Sequence, residues 1–70
     1  MTLKKIIEDR GLKNVFIAKQ IGKSKATISS YINGYRIPKI ETMQKLAEVL
    51  NVDLVTILAC FYGEPKEVEI

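Results

Sequence analysis

Apolar residues recur along this chain in five short groups at helical spacing, separated by glycine, asparagine and proline. Leu3, Ile6 and Ile7 open the series. Lys4, Lys5, Glu8 and Asp9 fill the positions between and after them, so one face is apolar and the other charged. Thr2 is placed to cap this helix, which runs to about Arg10, and Gly11 is placed to end it. Ile17, Ala18 and Ile21 form a second stripe, on a helix from Val15 to Ile21 with Asn14 as cap or first-turn residue. Ile28 and Ile32, with Tyr31 beside them, give a third stripe on a helix over Lys25 to Asn33 that Ser24 caps. Met43, Leu46, Ala47 and Leu50 repeat at i, i+3, i+4 and i+7 on a fourth, starting after Lys39 or Ile40 and stopping at Asn51. Asp53 caps a fifth, from about Leu54 to Phe61, which Gly63 and Pro65 end. The pattern predicts an all-α domain, five short helices on one core over residues 1–62, with a C-terminal tail over 63–70. The tail frays, or is recruited as a short strand by a partner.

The connections sharpen this picture. Only Gly22, Lys23 and Ser24 separate the second helix from the third. Three residues including a glycine force a steep corner rather than an antiparallel hairpin. Ala18 is small where two helices meeting at such a corner need close approach. The outward side of the third helix carries Lys25, Ala26, Ser29, Ser30 and Asn33, which are small or hydrogen-bonding and include no acid. A helix anchored from behind and polar in front is suited to a DNA groove.

Charge adds a second, independent signal. The net charge of +3 is modest, but residues 10–40 hold seven cations (Arg10, Lys13, Lys19, Lys23, Lys25, Arg36 and Lys39) and no acid. Residues 41–70 carry a net −4. Solvated surfaces normally intersperse the two signs, so an acid-free block of 31 residues points to a polyanionic partner. Seventy residues suffice for one small domain. The single cysteine, Cys60, forms no internal disulfide and is read as a small buried hydrophobe, not a redox switch. With no histidine, a metal site has no good ligand set, and no cofactor is expected. No triad, phosphate-binding loop or metal-ligand spacing is present, so the chain is not expected to be an enzyme. No apolar run spans a bilayer and the N-terminus has acids where a leader needs an apolar core, which predicts a cytoplasmic protein without membrane contact.

These residues together resemble the phage repressor and Cro type of helix-turn-helix domain, the xenobiotic-response-element-like transcriptional regulators. The carriers are Gly11-Leu12, Ile17-Ala18, Ile21-Gly22, Ser24 to Ser29, Asn33-Gly34, Pro38 and Leu46 to Val52, covering Leu3 to about Phe61. The resemblance implies a five-helix, lambda-repressor-like DNA-binding domain whose motif spans about 14–33, binding as a dimer on two half-sites. It places Lys25 and Ala26 at the start of the recognition helix, facing base edges, with Ser29 and Ser30 one turn later. Asn14 matches a position that touches a phosphate, and Asn33, Tyr35 and Arg36 match the segment that follows the backbone. Two features depart from the family pattern. Ile7 and Ile32 stand where many members have a buried Arg–Glu pair, a replacement the fold tolerates. Val15-Phe16 stands where acids or Gln are usual, with Phe16 either covering the core or offering an exposed apolar contact.

Each assignment has a plainer reading beside it. Lys25 is a base or phosphate donor, or a solvated lysine; Ser29, Ser30 and Ala26 read the groove, or are surface residues. Lys13, Lys19, Lys23, Arg36 and Lys39 are read as phosphate contacts, with Ser24 and Thr27 joining them on the backbone. Tyr35 stacks on the sugar-phosphate chain or packs on Pro38. The fifth helix is apolar almost all round, more than one core-facing stripe requires, so a homodimer through Leu54, Ile57, Leu58 and Phe61 is expected. The resulting expectation is a sequence-specific regulator of double-stranded DNA, a repressor on an inverted-repeat operator in a bacterium or phage. The alternatives are an antitoxin that also binds its own promoter, or a protein–protein adaptor on the same fold; a toxin or antirepressor is the corresponding protein partner.

Overall fold

The structure, a computed structural model, describes residues 2–63. Five helices follow one another: α1 over Leu3–Arg10, α2 over Asn14–Ile21, α3 over Lys25–Ile32, α4 over Ile40–Leu50 and α5 over Leu54–Tyr62. The domain is all-α, as the periodicity predicts, with boundaries within a residue or so of those expected. Pro65 and the rest of the tail from 64 onward lie outside the described residues.

Local chemistry sets most of the boundaries. The Thr2 hydroxyl accepts the Lys5 N–H at 3.2 Å and starts α1. Ser24 does the same for α3, accepting the Thr27 N–H at 3.1 Å. Asn51 ends α4 in the left-handed region at φ 55°, the only non-glycine there among the described residues. Its short amide side chain tolerates what a branched residue would not. Asp53 occupies the cap position of α5, but its carboxylate accepts no capping hydrogen bond. The expected Asp53 cap is therefore corrected to a positional stop only. Arg10 donates from Nη2 to the Asn51 carbonyl at 3.3 Å, tying the end of α1 to the end of α4. A cation there also meets the negative end of the α4 dipole.

Packing follows the stripes. α2 packs on both α3 and α4, α5 packs on α4, and α1 closes over α3 and α4. Ile17, Ile28, Met43, Leu46, Leu50 and Ile57 are fully enclosed at the centre, drawn from four of the five helices. Leu3, Ile6, Ile7, Ala18, Ile21, Tyr31 and Ala47 complete the core, and among the described residues no polar or charged residue is buried with them. Such a core stabilises by removing apolar area from water, and nothing in it requires an internal hydrogen bond.

The fifth helix corrects one expectation. Ile57, assigned to a dimer interface, is 0% exposed and belongs to the domain's own core. Leu54 and Phe61 lie half-buried against that core, and the Phe61 ring meets Tyr31 edge-on with centroids 6.3 Å apart. The second apolar stripe exists, but it is turned away from these residues. Val55 and Tyr62 are 62% and 67% exposed, with half-buried Ala59 and Leu58 between them at helical spacing, Leu58 also packing against the core. Burial pushes the Cys60 thiol pKa up, consistent with a half-buried, unreactive side chain.

Ile57→Ala is expected to cost about 2–5 kcal/mol in urea denaturation, whereas Tyr62→Ala stays within about 0.5 kcal/mol. Equal effects would contradict the division of α5 into a core side and a solvent side.

Candidate nucleic-acid interface

α3 is held from behind and free in front. Ile28 and Tyr31 are buried and Ile32 is half-buried, which fixes the rotation of the helix about its axis. Lys25, Ala26 and Asn33 are exposed, and Ser29 and Ser30 half-buried, on the remaining side. The candidate base-reading residues therefore share one outward face with no acid on it.

The entry to α3 is fixed by two devices. Gly22 closes α2 at φ 71°, a conformation that a Cβ would strain, and the Lys23 N–H bonds back to the Ala18 carbonyl at 2.9 Å. Ser24 then caps α3, and its hydroxyl lies 2.9 Å from the Thr27 hydroxyl. Both hydroxyls, expected on the DNA backbone, are thus engaged in the cap. Lys25 stands at the positive end of the α3 dipole, a repulsion of roughly 0.3–1 kcal/mol. The Ser24 cap contributes about 0.5–2 kcal/mol. The cap wins, and the helix forms with an unfavourably placed lysine at its tip.

The basic residues fall into two groups. Lys13 and Asn14, at the start of α2, face Lys25, Ser29 and Asn33 of α3 across one groove. No side chain caps α2, so its first N–H groups are open to an anion. Lys23, Arg36 and Lys39 gather around a second, smaller depression with Pro38 and Tyr31. Lys19, exposed on α2, borders neither cavity. Arg10 is drawn away by its bond to Asn51, so not every cation of the block serves this surface. Tyr35 is 82% exposed, so its ring does not pack on Pro38. Phe16 is likewise exposed at 46%, which leaves the exposed-contact alternative standing. Reading the chain missed Lys4, which joins the first groove from α1. Its i, i+4 spacing to Glu8 marks a surface position but says nothing about which helix lies opposite.

A model of the helix-turn-helix family matches residues 3–57, the larger part of the chain. The chain belongs to the helix-turn-helix family of Cro and repressor type. No curated protein and no solved structure matches it. As a member of that family it is a DNA-binding transcriptional regulator. α2 and α3 meet at a short turn with Gly22 at its corner. No described helix is long and apolar enough to cross a membrane, and no described cluster of side chains could hold a metal ion.

Removal of the α3 cap tests how this surface is built. Ser24→Ala is expected to cost about 0.5–2 kcal/mol in thermal or chemical denaturation. An unchanged midpoint would show that packing alone sets the start of α3.

Proposed function

We propose that the chain is a sequence-specific repressor that binds an inverted-repeat operator in double-stranded DNA as a homodimer. The observation that carries this is the pairing of an acid-free outward face on α3 with the open N-terminus of α2 across one groove. α3 enters the major groove, with Lys25 donating to guanine or phosphate and Ser29 and Ser30 donating and accepting at base edges. Ala26 offers its methyl to thymine. Asn14 and the α2 terminus take a phosphate, while Lys13, Lys19, Lys23, Arg36 and Lys39 displace counterions along the backbone, with Asn33 and the exposed Tyr35 beside them. Lysine, alanine and serine are soft readers, so DNA shape carries part of the specificity. Repression follows from occlusion of the promoter, in a cytoplasmic setting.

Dimerisation presents two copies of α3 to half-sites about 34 Å apart, one turn of DNA. The α5 stripe of Val55, Leu58, Ala59 and Tyr62 supplies the self-complementary face, with Leu54 and Phe61 supporting it from the core side. Val55→Asp is expected to give monomers in sedimentation, with the helical signature intact because Val55 is not a core residue. A persistent dimer would move the interface elsewhere.

A second reading, an antitoxin that also binds its own promoter, draws on exposed Phe16 and its neighbour Val15 as an apolar contact for a toxin. Recovery of a tightly bound second protein from the native host would favour it. The adaptor reading accounts less well for the acid-free block, since a protein-binding face has no reason to stay basic.

Charge reversal tests the DNA reading. Lys25→Glu with Ser29→Glu is expected to abolish specific binding without unfolding the domain, because neither residue is in the core. Lys39→Ala is expected to reduce the slope of log affinity against log salt by about 1 per protomer and leave sequence preference unchanged. A flat salt response in the unmodified chain would argue for a protein partner.

A further inference from the structure

The groove between α1, the start of α2 and one edge of α3 has a volume of about 500 Å3, within the range of roughly 300–1,000 Å3 found for small-molecule sites. Ile7, Leu12, Val15 and Ile32 contribute apolar surface to it. Lys4, Lys13 and Lys25 stand around it against one acid, Glu8. Among the described residues the ion pair formed is Lys5–Asp9, on the exposed side of α1, so no described carboxylate pairs with these three lysines. Asn14 and Val15 bring the uncapped start of α2 to the same opening, adding backbone donors to the cationic rim.

This combination selects its occupant. A phosphodiester would satisfy the lysines but leave exposed Val15 and half-buried Leu12 and Ile32 uncovered. A neutral hydrocarbon would cover that surface but leave the cations without a partner. An organic monoanion with an apolar body satisfies both. We propose that the groove binds a small amphipathic carboxylate, its apolar body against Ile7, Val15 and Ile32 and its carboxylate among Lys4, Lys13 and the start of α2. Because Lys13, Asn14, Lys25, Ser29 and Asn33 also belong to the DNA surface, such a ligand displaces DNA. The binding site stands on the groove's own chemistry; the displacement rests on the DNA-binding reading above.

Decanoate, kept below its micellar concentration, is the probe, with decyltrimethylammonium and decanol as cationic and neutral controls. Amide proton–nitrogen correlation spectra of the full chain are expected to show saturable shifts at Ile7, Asn14, Val15 and Ile32 with decanoate and not with the cation. Lys4→Gln is expected to weaken decanoate about threefold, the scale of one partly exposed charge contact. Val15→Glu, at an exposed position the fold does not depend on, is expected to abolish the shifts. No shifts, shifts centred on α5, or equal response to the cation would overturn the site. In the second arm, decanoate is expected to release a fluorescent duplex selected from random DNA. Lys4→Gln, assayed at duplex concentrations matched to its own duplex affinity, is expected to need about threefold more decanoate for release than the unmodified chain. Duplex binding that survives saturating decanoate would overturn the displacement while the spectra uphold the site. A chain that binds no duplex at all would overturn the DNA reading and the displacement together, and the spectra would still decide the groove.

Discussion

The burial of Ile28 and Tyr31 behind α3 is the constraint on which the rest of this molecule depends. Ile28 is wholly enclosed and Tyr31 nearly so, with the Phe61 ring of α5 set edge-on against it. Side chains in a close-packed interior have few alternative positions. The rotation of α3 is therefore set by the core, and the polar face opposite is set with it. Gly22 fixes the other degree of freedom, the angle at which α3 leaves α2. With rotation and entry both determined, Lys25, Ala26, Ser29, Ser30 and Asn33 need no further device to project together.

The electrostatic design follows from the same framework. A lysine at the tip of α3 and an uncapped α2 beside it are each slightly unfavourable for the isolated domain. Both become favourable when an anion arrives. The core absorbs this cost easily, since among the described residues it contains no buried polar group left without a partner. The stability of the domain is thus carried by apolar packing, and the charged surface is left to function. The groove beside α3 has the same division, with apolar side chains beneath a cationic rim.

Much of this was legible in the chain itself, for identifiable reasons. The five stripes repeat at helical spacing, and Thr2, Ser24 and Asn51 do what their types do at helix ends. Gly22 in a three-residue connection specifies a corner almost alone. The errors arise where tertiary placement decides. Ile57 lies on a helix where Thr56 is too weak a polar marker to define a face, so the pattern could not say which of its sides meets α4. Asp53 has the right chemistry for a cap but not the geometry. Tyr35 had a plausible neighbour in Pro38, and only the path of the loop leaves its ring in solvent. Lys4 joins a groove built from three helices, which no local pattern encodes.

On the reading proposed above, the outward face of α3 and the start of α2 form one surface for DNA. Amide chemical-shift mapping with a duplex recovered by selection from random sequence tests it most directly. The largest shifts are expected at Asn14, Lys25, Ala26, Ser29 and Asn33, while Val55 and Tyr62 on α5 move little beyond any change in dimerisation. Shifts concentrated on α5, with α3 unperturbed, would contradict it.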